Sequence, residues 1–340
     1  MGVCDPSLNE LAPTERLVPD ISGLPKAVLF DGQVSDEHLD LLHSGIPLVN
    51  QAFHPVIAGA QHVEVFPDKI VGSERSAHGV GFGRVVHSQN GRRGLTTAMD
   101  VALKPFTRGE TAQREANGYL TLGGLAIETY EPVGIFPAKH GDHLVALTKT
   151  RRDLDSLDRS EWVSGARIDS ERSAEIAARN ERNVSEIATV MAFLNAKGYF
   201  HPDGQIKNWA VTPEGNIGVI DTENFHHLPL GDFDAAPTAW ENLDKLVRSL
   251  VLNTQDQDAK MFGVGMFADM SVQQVRAAVQ SLIIEPYQRQ LEQVFMDTTS
   301  AVEQQQVINL EEGVVTRFNN TPEWPSHIVN SKHQHHVSHL

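Results

Sequence analysis

The chain has 340 residues, enough for about two structural domains of ordinary size. Its 44 acidic residues outnumber 28 lysines and arginines, and the net charge of −16 argues against nucleic acid and anionic membrane as partners. A single cysteine, Cys4, excludes an intramolecular disulfide and a zinc site built from several thiolates. No apolar run approaches the length of a membrane span, so we expect a soluble protein of a reducing, cytoplasmic compartment.

The first half of the chain predicts a small lobe over residues 66–150, preceded by an N-terminal extension over 1–65. Strand-like runs occur at 62–66, 84–87 and 99–104, and hairpin-type glycines separate the last two, which indicates antiparallel strands. A helix that Thr107 can cap is expected to open near Gly109. Two more strands are expected over Ile127 to Phe136 and His143 to Thr148. The extension has no assigned role, and it is the segment through which a protein partner would bind.

The second half predicts helices over a lobe that spans 151–318. Residues 151–158 carry mixed charge, which is typical of a solvated connector and also of a hinge between lobes. Helical periodicity runs from Ser173 to Lys197, and Gly198 is a natural stop. Further helices are expected over 238–252, 271–284 and 285 to about 307, followed by a flexible, His-rich tail over 319–340. Strands first and helices later predict an α+β fold in two lobes.

The polar residues with the clearest chemistry follow the helix that stops at Gly198. His201, Asp203 and Asn208 lie in one loop, and Asp221 ends the apolar strand of the hairpin that comes next. Oxygen donors such as those of Asn208 and Asp221 suit Mg²⁺, which takes one or two protein carboxylates together with substrate phosphates. Asp203 would then accept a proton from an attacking hydroxyl.

This arrangement resembles the catalytic core of the protein-kinase-like superfamily. The family signature is His-x-Asp-x-x-x-x-Asn followed by a metal-binding Asp on the next hairpin. His201, Asp203 and Asn208 match it without a gap, and Asp221 lies thirteen residues beyond Asn208. The resemblance covers roughly residues 70–255. It implies a small lobe with an antiparallel sheet and one helix, a mostly helical large lobe, and ATP with Mg²⁺ or Mn²⁺ as cofactors.

The first half of the chain matches further parts of the same family. Lys104 ends the run Val101 to Lys104, which looks like the family's Val-Ala-Ile-Lys strand, whose Lys holds the α and β phosphates. Glu115 is the candidate partner that would hold Lys104 extended, and Glu110 competes for that role. A glycine-rich phosphate loop has a candidate match, one position out of register with the family, in Gly79, Gly81 and Gly83.

Departures from the family pattern indicate a branch within it. Ordinary Ser/Thr kinases carry Lys two residues after the catalytic Asp, where this chain has Gln205. About 17 residues separate Asp221 from the helix expected near Thr238, which leaves little room for the activation segment on which protein substrates dock. The Ile-Asp-x-Glu ending is similar instead to the aminoglycoside-phosphotransferase, choline-kinase and lipopolysaccharide-kinase branches. A small-molecule acceptor is therefore favoured.

The resemblance implies an ATP-dependent phosphotransferase that moves the γ-phosphoryl group to a hydroxyl acceptor. The implied roles are phosphate binding by Lys104, orientation of Lys104 by Glu115, metal binding by Asn208 and Asp221, orientation or deprotonation of the acceptor by Asp203, and bracing of the loop by His201. The alternative is a catalytically silent kinase-like module that binds nucleotide or a partner as a scaffold.

Three other features have two interpretations each. Asp244 either anchors the catalytic loop from the following helix or is solvated on that helix. His226 and His227 suggest a metal cluster with His201, but their spacing favours a neutral pair in a loop. The helix around residues 287–306 favours packing against the large lobe over a partner-binding face.

Overall fold

The computed structural model of the chain describes residues 62–71, 80–88, 96–106, 108–137, 143–148, 155–157, 168, 170–222, 224–228, 235–252, 266–267 and 270–320. The fold mixes helices with small sheets, in agreement with the predicted α+β class. The chain divides into two compact units, one that ends at Asp153 and one that begins at Leu154. No helix in the described ranges is long and apolar enough to cross a membrane.

The first unit is built on a five-stranded antiparallel sheet. Its strands are β1 (His62–Val71), β2 (Val80–Ser88), β3 (Thr96–Phe106), β5 (Pro132–Pro137) and β6 (His143–Thr148), and a two-residue strand, β4 (Glu128–Thr129), precedes β5. The sheet order is β1-β2-β3-β6-β5. Each of the three strand-like runs of the sequence lies inside an observed strand, so the predicted antiparallel strands are confirmed. Strand β3 is central, with Val101 paired to Gly83 on one side and to Thr148 on the other.

Helix α1 (Gly109–Gly124) follows β3 directly. It begins at the predicted residue, but Arg108 occupies the N-cap position and makes no side-chain capping hydrogen bond. Thr107, the predicted cap, lies outside the described residues. One face of α1 packs on the sheet in a buried cluster that consists of Phe106, Ala112, Ala116, Tyr119 and Ile135. The spacing of Ala112, Ala116 and Tyr119 along α1 fixes which face of the helix is turned to the sheet.

The second unit begins with small strands around a long helix. Its strands are β7 (Asp155–Ser156), β8 (Tyr199–Phe200), β9 (Trp209–Val211), β10 (Ile217–Val219) and β11 (His226–His227). Within this unit β7, β9 and β10 pair in that order, and β8 pairs with β11, all antiparallel. The predicted hairpin is therefore confirmed, and its turn contains Gly215 at φ +92°, a left-handed conformation that favours glycine.

Helix α2 (Glu171–Ala196) confirms the helix predicted before the candidate site. Ser170 caps its N-terminus, since Oγ accepts a hydrogen bond from the backbone N of Ser173 at 3.1 Å. Gly198, two residues beyond the helix, has φ +77°, and a Cβ there would lie 2.6 Å from the carbonyl oxygen of Leu228. The chain therefore turns at a glycine immediately before it enters the candidate loop.

The remaining helices are α3 (Ala236–Leu252), α4 (Val272–Val279), α5 (Glu285–Asp297) and α6 (Ala301–Asn320), and a π-helical turn over Gln280–Ile284 joins α4 to α5. The prediction of one helix from 285 to about 307 is wrong. Thr298 is extended at φ −90° and ψ 128°, which ends α5. Ser300 Oγ accepts a hydrogen bond from the backbone N of Glu303 at 3.4 Å and starts α6. Helix α6 continues to Asn320, slightly beyond the predicted start of the tail.

Helices α5 and α2 are joined by a buried polar contact. Asn195 Nδ2 donates a hydrogen bond to the hydroxyl oxygen of Tyr287 at 2.9 Å. Burial raises the pKa of Tyr287, so this hydroxyl stays protonated across the ordinary pH range. Tyr287, Leu291 and Val294 are all buried, which agrees with packing as the role of this helix face.

We expect Tyr287→Phe to lower the free energy of unfolding by about 1–3 kcal/mol, because it leaves the buried amide of Asn195 without an acceptor. Urea titration of both proteins measures the difference. Adding Asn195→Leu removes the stranded donor as well, so the double variant should regain part of the loss. An unchanged urea midpoint in Tyr287→Phe would contradict this account of the contact.

Candidate functional site

The strand lysine and the helix glutamate predicted for the first unit are in contact. Lys104 Nζ lies 2.9 Å from Glu115 Oε1. The Glu115 side chain is fully buried, and that of Lys104 is 16% exposed. Lys104 also lies over the ring of Phe106, 5.4 Å from its centroid. The predicted contact between Lys104 and Glu115 is thus confirmed. The side chain of the competing Glu110 lies outside the described residues, and the role of the Lys104–Glu115 pair in phosphate binding stays a prediction.

The predicted glycine-rich loop is wrong for two of its three glycines. Gly81 and Gly83 lie inside strand β2, where they pair with Leu103 and Val101 of β3. Gly83 also pairs with Val65 of β1, so it is inside the sheet. The pairing register with both neighbours overrides the local glycine signal for a loop. Gly79 lies outside the described residues, and nucleotide binding by the three glycines stays a prediction.

In the second unit, the loop over residues 201–208 is held by hydrogen bonds from side chains to backbone carbonyls. Asn208 Nδ2 donates to the carbonyl oxygen of Asp203 at 2.8 Å, and Trp209 Nε1 donates to that of Gly204 at 3.2 Å. The His201 imidazole hydrogen-bonds through Nε2 to the carbonyl oxygen of Asp221. Each of these bonds ends on a backbone carbonyl, so they fix the loop without using the carboxylates of Asp203 or Asp221.

His201 is an uncharged brace. It is 4% exposed, and this burial lowers the pKa of its imidazole, against the smaller raising effects of the backbone bond to Asp221 and the charges of Asp221 and Asp203. Because a carbonyl oxygen only accepts, Nε2 carries the proton of the neutral ring. Nδ1 is buried, and the described part of the chain offers it no hydrogen-bond partner. The predicted bracing role is confirmed as a contact.

Helix α3 holds the same loop from the other side. Lys245 Nζ donates to the carbonyl oxygen of Pro202 at 2.6 Å. Four residues further along the helix, Ser249 Oγ accepts a hydrogen bond from the backbone N of Ile206 at 2.9 Å. Sequence analysis missed both residues. Their spacing of four, which places them on one face of α3, is the signal that could have identified them.

A close backbone approach adds to this contact between α3 and the loop. A Cβ at Gly204 would collide with the carbonyl oxygen of Asn242, so a glycine is needed here. Asp244, the residue considered as an anchor, pairs with Arg248 on the same helix. Lys245 and Ser249 each make a hydrogen bond from α3 to the loop.

Asp203 has one carboxylate oxygen beside a cation and one without a partner. Oδ2 lies 3.5 Å from Lys207 Nζ. Oδ1 is buried, and no hydrogen-bond partner for it occurs in the ranges that the structure describes. A carboxylate oxygen that lacks a donor is suited to accept a proton or a hydrogen bond from a substrate hydroxyl.

Asn208 and Asp221 lie at the same end of the β9–β10 hairpin. Trp209 pairs with Val219 in the register, and the backbone N of Ile220 donates to the carbonyl oxygen of Asn208 at 3.0 Å. An amide oxygen and a carboxylate are hard oxygen donors, so this set fits Mg²⁺ or Mn²⁺ that completes its coordination with water and phosphate oxygens. Among the described side chains, no group of three or more His, Cys, Asp or Glu is placed to hold a metal by itself.

The histidine pair after the hairpin is part of strand β11. His226 Nδ1 lies 3.0 Å from the carbonyl oxygen of Asn224. The ring of His227 packs on that of Tyr199, with centroids 4.7 Å apart, and Tyr199 stacks on Phe225 at 5.6 Å. These contacts agree with a structural role for the pair, but the prediction of a loop is wrong, because both residues pair with β8.

Comparisons with family models and with curated proteins assign the chain to no family. No family model matches the chain, and a search of curated proteins finds no match. The structure brings together Lys104 and Glu115 in the first unit, and His201, Asp203, Asn208 and Asp221 in the second.

We expect a pH-dependent stability contribution from His201. The pKa of His201 is lowered in the folded protein, so the unfolded chain binds more protons below the ordinary value of 6.5. The stability that neutral His201 contributes is therefore present above that pH and is lost as the pH falls toward the folded pKa. The loss is at most about 1.4 kcal/mol per pH unit. Urea unfolding of wild type and His201→Gln, in EDTA at pH 7.5 and 5.5, isolates this contribution. The stability gap between the two proteins should narrow at pH 5.5, and a gap that stays constant or widens would contradict the prediction.

Proposed function

We propose that the protein is an ATP-dependent phosphotransferase that transfers the γ-phosphoryl group of ATP to a hydroxyl acceptor. One observation carries the proposal: the bond from Asn208 Nδ2 to the carbonyl oxygen of Asp203, 2.8 Å long. This bond makes Asn208, a candidate metal ligand, and Asp203, the candidate base, parts of one fixed loop. His201, in the same loop, hydrogen-bonds to the backbone carbonyl of Asp221, the second candidate metal ligand.

The architecture supports a two-lobed kinase-like fold as the finer description. The first unit combines a five-stranded antiparallel sheet with one helix inserted after β3, and the second unit is mostly helical. In this proposal residues 66–150 form the nucleotide-binding lobe and residues 151–318 form the catalytic lobe. The contact between Lys104 and Glu115 would keep the lysine in place for the α and β phosphates.

The proposed reaction moves one proton and one phosphoryl group. Asp203 takes the proton of the acceptor hydroxyl, whose oxygen bonds to the γ-phosphorus while the bond to the β–γ bridging oxygen breaks and ADP leaves. Such a reaction depends mainly on positioning and charge neutralisation. Mg²⁺ or Mn²⁺, held by Asn208 and Asp221, would supply positive charge at the phosphates.

A small-molecule acceptor is the substrate class that the chain length after Asp221 supports. Strand β11 ends at His227 and helix α3 begins at Ala236, so eight residues, 228–235, connect them. An activation segment on which a protein substrate docks needs a longer connection. We therefore propose a hydroxyl-bearing small molecule.

The alternative function is a catalytically silent module that binds nucleotide or a partner as a scaffold. One observation favours it: Gly81 and Gly83 are paired inside the sheet, and are not in a loop that would cover phosphates. Nucleotide binding would be common to both functions. Phosphoryl transfer would separate them.

We expect ATP with Mg²⁺ to raise the melting temperature of the wild type, because a ligand at 100 times its Kd stabilises the folded state by about 2.7 kcal/mol. Asp221→Asn should lose most of that shift, since a candidate metal ligand is removed. Asp203→Asn should keep it, while turnover falls by about 10²–10⁴-fold.

Differential scanning fluorimetry with and without the metal measures these shifts. Asp297→Asn, which removes an exposed carboxylate of α5, is the matched control and should behave as the wild type. Absence of a shift in the wild type at millimolar nucleotide would overturn the proposed function.

A further inference from the structure

A cavity of about 350 Å³ lies between helices α5 and α6, outside the residues that the proposed function uses. Three residues from each helix line it: Glu292, Phe295, Met296, Val307, Ile308 and Glu311. None of the six belongs to the loop over residues 201–208, to the β9–β10 hairpin or to helix α3. We propose that the cavity binds a small organic cation with an apolar body, such as an arylalkyl ammonium ion. This inference does not depend on the proposed function.

Polar contacts join the two helices on both sides of the cavity. Gln288 Nε2 donates a hydrogen bond to Glu311 Oε1 at 2.9 Å. At the turn between the helices, Gln304 Nε2 donates to the carbonyl oxygen of Thr298 at 2.8 Å. The residues of α5 that line the cavity lie between positions 288 and 298, and those of α6 lie beyond Gln304. The cavity is therefore formed by the folded helices before any ligand enters, as is usual for small-molecule sites.

The dimensions of the cavity favour a small molecule over a peptide. Its lining covers residues 292–296 of α5 and 307–311 of α6, which is about 6 Å along each helix axis. A peptide that docks as a helix or a strand uses anchors spread over a longer distance. The volume lies near the lower end of the roughly 300–1,000 Å³ found for small-molecule sites. One ring with a short side chain is an occupant of this size.

The uncharged part of the lining is entirely apolar. Val307 is buried, Phe295 and Ile308 are half-buried, and the Met296 side chain is 75% exposed at the cavity. These side chains offer water no hydrogen bonds, so an apolar group gains free energy when it replaces water there. An aromatic ring and a polarisable thioether also make favourable contacts with cations and with other aromatic rings.

The charged part of the lining selects the sign of the ligand. Of the six residues, the two that carry charge are both glutamates, and each helix contributes one of them. The bond from Gln288 keeps the half-buried carboxylate of Glu311 at the cavity. The whole chain has a net charge of −16, which adds to the repulsion of anions. A cation is therefore the ligand that meets both the apolar lining and the two carboxylates.

Titration with 2-phenylethylammonium, followed by NMR of the ¹³C-labelled methyl group of Met296, tests the proposal. Met296→Leu identifies that resonance. We expect a saturable shift, and binding about fivefold or more weaker for the neutral 2-phenylethanol, because the alcohol lacks the charge that the carboxylates attract. The anion phenylacetate should bind more weakly still. The ammonium probe has no hydroxyl, so it cannot be the acceptor of the proposed reaction.

Variants separate the two parts of the lining. Glu292→Gln and Glu311→Gln should each weaken binding of the cation about fivefold and leave binding of 2-phenylethanol unchanged, because the amide keeps the shape and removes the charge. Glu312→Gln is the matched control: it removes an exposed carboxylate at the next position of α6, outside the lining, and should match the wild type. Ile308→Phe fills the cavity and should weaken binding of both probes. Circular dichroism checks that each variant folds.

Three results would overturn the inference. Absence of a saturable shift at millimolar 2-phenylethylammonium would mean that the cavity is not a site for such ligands. Equal affinity for the cation and the alcohol would mean that the cavity is apolar without selecting charge. A loss of cation binding in Glu312→Gln as large as in Glu292→Gln and Glu311→Gln would mean that the acidic surface attracts the probe without a specific site. The proposed function would stand in all three cases.

Discussion

Hydrogen bonds to three consecutive backbone carbonyls hold the loop of the candidate site in place. Those of Pro202, Asp203 and Gly204 accept hydrogen bonds from the side chains of Lys245, Asn208 and Trp209. Because these acceptors are adjacent, the backbone on both sides of Asp203 has little freedom, and its carboxylate is placed by helix α3 together with the β9–β10 hairpin. Catalysis of phosphoryl transfer needs this kind of preorganisation more than it needs reactive side chains.

The electrostatics of the second unit follow from how the loop is braced. Burial lowers the pKa of His201, so the contact to the Asp221 carbonyl adds no charge at neutral pH. The positive charge beside Asp203 comes instead from Lys207, which is half-exposed. The brace is therefore neutral, and the cation beside the candidate base belongs to the loop itself.

Local signals explain most of what the sequence predicted correctly. The strands of the first unit, the start of α1 and the glycine turn after α2 depend on periodicity and on residues close in sequence. The partner of Lys104 is only eleven residues away, on the next element, and was predictable. The contacts of α3 with the loop join residues 43 apart and have no local signal. Strand pairing placed Gly81 and Gly83 inside the sheet, and capping by Ser300 divided a sequence that otherwise favours one helix.

Direct observation of phosphoryl transfer tests the central claim. Phosphorus-31 NMR can follow ATP and Mg²⁺ with the protein and a panel of hydroxyl acceptors, including sugars, an aminoglycoside and a choline-like alcohol. The account predicts that ADP and a new phosphomonoester resonance appear together for at least one acceptor, and that Asp203→Asn slows the appearance of both by about 10²–10⁴-fold. ATP that stays intact with every acceptor, in a protein that binds the nucleotide, would contradict the account and leave the silent module as the function.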